Sequence, residues 1–154
     1  MSATKSVEII PQIHIENKNL QSGPMKYNNI LLVDDDMDDR MLFQQTLEEM
    51  DPAIRIHDVE NGLDMMDWLD RCSDKDLPDL VILDQIMPKM TGKESLVFLK
   101  ENPRYKYIPV ILYSTFQVKD FLLACRELGA LDVVAKPDTI QAYRNMIGQF
   151  ISVI

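Results

Sequence analysis

Two kinds of periodicity alternate along most of the chain. Ile30–Val33, Leu80–Leu83 and Val110–Tyr113 are continuous apolar runs, the pattern of strands buried on both faces. Ile54–Val59 is strand-like and is punctuated by Asn61–Gly62, and Val133–Ala135 makes a short last strand. Between them apolar residues recur at helical spacing. Met41, Leu42, Leu47 and Met50 mark a helix over Met37–Met50. Leu63, Met66 and Leu69 mark the next, and Leu96 and Leu99 a third over Lys93–Glu101. Phe121, Leu122, Cys125 and Leu128 line a fourth, which Gly129 closes. Ile140, Tyr143, Ile147, Phe150 and Ile154 give the fifth an apolar face. Five strands thus alternate with five helices. Right-handed crossovers turn such a pattern into an α/β, doubly wound parallel sheet covered on both faces.

The first 27 residues break this rhythm. They are polar, with Pro11 and a Gly23–Pro24 breaker, and read as an N-terminal extension to a domain spanning 28–154. A flexible arm is the favoured form. A short strand is the other, because VEIIPQIHIE alternates at Ile13 and Ile15.

Composition narrows the function. The chain has 154 residues and a net charge of −9. Phosphate backbones need clustered Lys and Arg, so nucleic acid is not an expected partner, nor is an anionic membrane. No apolar run is long enough to span a bilayer, and the N-terminus lacks an apolar signal core. A cytoplasmic location is therefore expected. Cys72 and Cys125 are isolated in helix-like patterns and fit reduced, core-type thiols. His14 and His57 have no visible acid or metal partner and receive no catalytic role.

The informative residues all follow apolar strands. ILLVDDDMDDR runs straight from a buried strand into Asp34, Asp35, Asp36, Asp38 and Asp39. Asp36, Asp38 and Asp39 suit a helix start, where carboxylates complement the dipole. Asp34 and Asp35 need another explanation. Asp84 ends the third strand in LVILDQIMPKMTG, Ser114 and Thr115 end the fourth, and Lys136 ends the fifth. In a parallel sheet these ends open on one edge, where ligands bind. Hard carboxylate oxygens suit Mg²⁺, which would offset their repulsion and leave room for a phosphoryl group. A carboxylate beside that place can act as nucleophile, with the ammonium and a hydroxyl contacting phosphoryl oxygens. Strand register favours Ser114 over Thr115 for the hydroxyl.

These motifs in this order resemble the receiver domains of two-component response regulators, from Asn28 to the end. The acidic pair matches Asp34 and Asp35. The phosphoacceptor and its following Met-Pro and Gly match Asp84, Met87, Pro88 and Gly92. The hydroxyl matches Ser114, and the Lys-Pro matches Lys136 and Pro137. The resemblance implies a flavodoxin-like sheet of strand order 2-1-3-4-5. It implies a single-domain, chemotaxis-regulator-like signalling protein rather than an enzyme, with at most self-phosphorylation and autodephosphorylation. Mg²⁺ would be held by Asp35, Asp84 and the backbone carbonyl of Ile86, with Asp34 acting through water. Asp84 would take a phosphoryl group from the phosphohistidine of a sensor kinase or phosphotransfer protein. Ser114 and Lys136 would contact that group, and the peptide before Pro137 would be cis. Output would leave through the fourth helix, fifth strand and fifth helix toward a protein target. Val133 stands where the family places a switch aromatic, which leaves Tyr113 or Phe116 to substitute. Ile86 and Phe116 stand at the positions that tune phosphate lifetime.

Two other functions compete. One is an interaction module that keeps the fold without phosphorylation, against which the intact acid, hydroxyl and lysine set argues. The other is a haloacid-dehalogenase-type phosphohydrolase with Asp34 as nucleophile and Asp36 as acid/base. That reading leaves Asp84 without a role and lacks an acidic pair after Lys136.

Overall fold

The computed structural model describes residues 27–115 and 118–151. The strands are β1 (Asn29–Val33), β2 (Arg55–Val59), β3 (Leu80–Asp84), β4 (Val110–Ser114) and β5 (Asp132–Ala135). The helices are α1 (Met37–Met50), α2 (Gly62–Arg71), α3 (Gly92–Glu101), α4 (Lys119–Glu127) and α5 (Ile140–Ile151). A short 3₁₀ turn at Asp74–Asp76 follows α2. All pairings are parallel, in the order β2-β1-β3-β4-β5. Element types and the doubly wound sheet agree with the reading of the sequence.

Strand alternation divides the core in two. Leu31, Val33, Val81, Leu83, Val110 and Leu112 meet Met65, Leu69, Leu96, Leu99 and Cys125 of α2, α3 and α4. Ile30, Leu32, Ile82, Ile111 and Tyr113 meet Phe43, Leu47, Tyr143 and Ile147 of α1 and α5. Burying both faces of β1, β3 and β4 removes the need for polar alternation, which is why those strands read as unbroken apolar runs. Each fully buried Leu or Ile contributes about 1.5–3 kcal/mol, so the central strands hold the frame on which the site is built. Val133 is buried in the first of these cores and presents no aromatic ring.

The ends of the helices follow local sequence. Asp36 caps α1 by accepting from the Asp39 N–H at 3.0 Å, and Asp38 and Asp39 occupy its first turn. Thr91 and Glu94 form a reciprocal capping box at α3. Gly129, at φ 111°, ends α4: its N–H bonds Arg126 and the next N–H bonds the carbonyl of Cys125.

Two differences from expectation are local. Tyr27, placed by its sequence in the extension, is buried and belongs to the core shared with Ile30, α1 and α5. The arm-or-strand alternative for Ile13 and Ile15 lies outside the described residues. No described peptide bond is cis, so Lys136–Pro137 is trans, the isomer that X–Pro bonds favour by about 0.5–1 kcal/mol. Among the described residues no helix is long and apolar enough to cross a membrane.

Candidate functional site

The carboxyl ends of β1, β3, β4 and β5 converge on one pocket. The turn after β1 is fixed by its backbone. Asp34 donates its N–H to Val59 at 3.1 Å, and its carbonyl accepts from Arg40 at 2.7 Å. Arg40 is held in turn by Asp58 at 2.7 Å. The Asp34 carboxylate is fully buried, and its Oδ1 accepts from the Asp36 N–H at 3.0 Å. Asp35 points to the exposed side of the same turn.

Asp84 ends β3 and is also buried. The loop that follows is anchored to both neighbouring elements. The Gln85 N–H bonds the Tyr113 carbonyl at 3.0 Å, and Gln85 accepts from Gly92 at 3.0 Å and from Lys93 at 2.8 Å. Ile86, whose carbonyl is the implied metal ligand, sits exposed in this loop. Ser114 is fully buried at the end of β4, and its carbonyl accepts from the Lys136 N–H at 3.0 Å. Lys136 reaches across the pocket. Its Nζ lies 3.0 Å from Asp84, 2.9 Å from Asp39 and 3.3 Å from Asp34.

Asp34, Asp35 and Asp84 each offer an oxygen within 4.8 Å of the others. Three carboxylates this close, two of them buried, fit a hard divalent cation in donor type and charge. The closeness of these groups bears on Asp84. Burial, and then the Asp34 carboxylate, push its carboxyl up to about 7, against the lowering influence of Lys136. Burial would lower the Lys136 ammonium, but Asp39, Asp34 and Asp84 outweigh it and raise the group above its ordinary value.

The structure therefore brings together Asp34, Asp35, Asp84 and Lys136, with Ser114 and Ile86 on the two strand-end segments beside them. Asp36 and Asp38 remain at the helix start. Two contacts went unread in the sequence. Asp39 caps nothing; it pairs with Lys136, and its place three residues after the cap residue Asp36 was the available signal. Tyr113 donates its hydroxyl to Asp34 Oδ2 at 2.5 Å, and the signal was a tyrosine inside the aliphatic run VILYS. Phe116 lies outside the described residues. His57 stacks on Trp68 with ring centroids 4.4 Å apart, which accounts for it without catalysis. Cys72 and Cys125 are both free thiols.

Comparison with known proteins agrees with this geometry. The family described as the response regulator receiver domain matches residues 30–147. The response regulator Rcp1 of Synechocystis sp. is 33% identical over 130 residues, covering 82% of this chain and 87% of that protein. The two-component response regulator ORR13 of Oryza sativa subsp. japonica is 32% identical over 113 residues, 73% of this chain and 89% of the relative. The cyclic di-GMP phosphodiesterase response regulator RpfG of Xanthomonas campestris is 31% identical over 109 residues, 71% of this chain but only 28% of that longer protein. Among solved structures, the Mn²⁺-bound form of Rcp1 superposes with a TM-score of 0.72 at 26% identity, covering 82% of this chain and 96% of the other. The phosphorylated cyanobacterial phytochrome response regulator RcpA gives 0.72 at 26%, covering 83% and 96%. With the sheet order, the acidic pocket and the match over 30–147 in agreement, this chain belongs to the response regulator receiver domains of two-component systems.

Proposed function

We propose that Asp84 is the phosphoacceptor of a signalling switch that takes its phosphoryl group from a histidine kinase or a phosphotransfer protein. The observation that carries this is the placement of Asp84: buried, beside two further carboxylates, with a lysine ammonium on its Oδ2 at 3.0 Å. An Asp84 carboxylate oxygen attacks the phosphorus of the phosphohistidine. The P–N bond breaks, and its electron pair leaves with the imidazole, which takes up a proton. Lys136 contacts the phosphoryl oxygens as charge shifts onto them, and the Ser114 hydroxyl bonds one of them. Mg²⁺ held by Asp35, Asp84 and the Ile86 carbonyl, with Asp34 through water, would neutralise charge on the transferring group. The Mn²⁺-bound form of one relative and the phosphorylated form of another support this reading. Output then passes to a partner protein through the face of α4, β5 and α5. A partner that prefers one of two arrangements of the β4–α4 segment reads the state.

The test is incubation with Mg²⁺ and acetyl phosphate, followed by mass analysis of the modified residue. Label on Asp84 is the expected result. Label on Asp34 would instead point to phosphohydrolase-type chemistry, and none at all would point to a phosphorylation-independent module.

Metal binding has its own test. Asp35 is the exposed member of the cluster, so replacing it leaves the core intact. Asp35→Ala is expected to weaken Mg²⁺ binding by at least about tenfold in calorimetry, since losing one charged ligand removes more than about 1.4 kcal/mol. An unchanged affinity would mean that the ligands are misassigned.

A further inference from the structure

Three carboxylates share the Lys136 ammonium, and they differ in what else they do. Its Nζ lies 3.0 Å from Asp84 Oδ2 and 2.9 Å from Asp39 Oδ2, with the two Asp34 oxygens at 3.3 and 3.4 Å. Asp34 and Asp84 belong, with Asp35, to the cluster that fits a divalent cation, and Asp84 is also the phosphoacceptor of the reading above. Asp39 belongs to neither set. It stands in the first turn of α1, where its N–H is bonded to the Asp36 side chain at 3.0 Å. Lys136 is its opposite: its backbone N–H is fixed to the Ser114 carbonyl, but its charge rides on a flexible four-carbon stem. We propose that Asp39 is a positioning residue that holds the Lys136 ammonium at the phosphoacceptor while Asp34 and Asp84 are engaged elsewhere. This inference rests on the phosphoacceptor reading of Asp84.

In the resting pocket the three contacts are redundant, and Asp34 and Asp84 alone would keep the ammonium in place. The redundancy ends in the reaction. Carboxylate oxygens that face a divalent cation have less charge to offer an ammonium. Once an Asp84 oxygen is bonded to phosphorus, that side chain no longer carries a carboxylate charge, and the lysine turns N–H groups to the phosphoryl oxygens. Asp39 keeps its charge and its place on the helix throughout. With Asp39, one N–H of the lysine stays anchored while the others change partners. Without it, the stem regains its rotamer freedom at the moment when the ammonium is needed. Asp39 lies at the rim, its side chain 31% exposed against 14% for the lysine, so solvent weakens the pair relative to a fully buried one.

Asp39→Asn removes the charge and keeps the size. Asp38→Asn is the control, because Asp38 lies in the same helical turn, is exposed and takes no part in the Lys136 ion pairs. The two variants change net charge and the charge beside the helix dipole alike, so their difference isolates the contact with Lys136. With Mg²⁺ and acetyl phosphate, Asp39→Asn is expected to take up phosphoryl groups about tenfold more slowly than Asp38→Asn, the scale of one partly screened hydrogen bond between charged groups. A second readout involves no phosphoryl transfer. In protein labelled with ¹⁵N-lysine, the Lys136 ammonium should give a slowly exchanging NMR signal that survives saturation with Mg²⁺ in the parent and in Asp38→Asn. In Asp39→Asn the same addition should broaden it away. Equal uptake by the two variants would overturn the proposal and leave Asp39 a helix-start residue alone. So would an ammonium signal that Mg²⁺ leaves equally sharp in both variants, or one lost from the parent itself, a result that needs no variant to fold. A parent protein that takes no label on Asp84 would instead overturn the phosphoacceptor reading, and this inference with it.

Discussion

Asp84→Asn is expected to reduce phosphoryl incorporation to background, whether the donor is acetyl phosphate or a phosphorylated kinase. The amide keeps the size and the buried position of the side chain but is not a nucleophile toward phosphorus; the ion pair with Lys136 is the one contact of charge that it gives up. Asp34 is buried and tied to Tyr113, Lys136 and the Asp36 N–H, which leaves it poorly placed to take over. Persistence of label in Asp84→Asn, with its loss in Asp34→Asn, would reverse the assignment. The same variant has a thermodynamic signature. The Asp84 carboxyl is raised from 3.8 to about 7 in the folded protein. A raised folded value means that the native state holds this proton more tightly than the unfolded chain. The stability so gained is complete below about pH 4 and is lost as pH rises through about 7. The asparagine variant has no such loss. Without metal, its advantage over the parent should therefore be small near pH 5 and grow toward pH 8. A shift of this size corresponds to roughly 4 kcal/mol at most, and the ion pair given up with Lys136 offsets part of it. A net gain of about 1–2 kcal/mol, or a few degrees in Tm at pH 8, is expected in thermal melts. Added Mg²⁺ should stabilise the parent selectively and narrow the difference. A pH-independent difference between the two proteins would show that Asp84 is not held protonated by its surroundings.

The frame was legible because β1, β3 and β4 are buried on both faces and read as apolar runs up to the polar residue that ends or follows each. The switch from apolar to polar at Asp34, Asp84 and Ser114 therefore marks strand end and site together. The order of the strands is less visible in local pattern and came from resemblance of the motifs. What stayed hidden depends on long side chains crossing from one strand to another. Tyr113 and Asp34 are 79 residues apart and Lys136 and Asp34 are 102 apart, and no local periodicity reports such a meeting. Asp39 was read correctly as part of a helix start and incompletely as no more than that. A residue in the first turn of α1 is also a residue at the rim of the pocket, because α1 begins where β1 opens into it. Tyr27 escaped for the opposite reason: a single aromatic next to polar residues gives no period, and only packing against Ile30 and α1 reveals that it belongs to the core.

Gly92→Ala should damage both stability and phosphoryl uptake, by way of the backbone. Gly92 opens α3 and packs directly on the end of β3. A Cβ there would lie 2.4 Å from the Asp84 carbonyl oxygen and 2.8 Å from the Gln85 Cα. Those neighbours are backbone atoms of the strand that carries the phosphoacceptor, so no side-chain rotation relieves the contact. The Gly92 N–H is also bonded to the Gln85 carbonyl at 3.0 Å, which holds the helix start close to this strand end. One methyl group must therefore push apart α3 and the Asp84–Gln85 peptide. Overpacking of this kind costs about 1–3 kcal/mol, which for a domain of this size lowers Tm by several degrees. The functional cost should be larger. A misplacement of about 1 Å at a reacting group can cost on the order of a hundredfold in rate, and here the displaced peptide is the one that positions the nucleophile. Uptake from acetyl phosphate, measured well below the variant's melting point, is expected to fall by at least about tenfold while circular dichroism remains native. If the melting point fell but uptake did not, the strain would have been absorbed by α3 moving outward. Gly92 would then serve helix packing alone, and the close approach at Asp84 would not be what holds the phosphoacceptor in place.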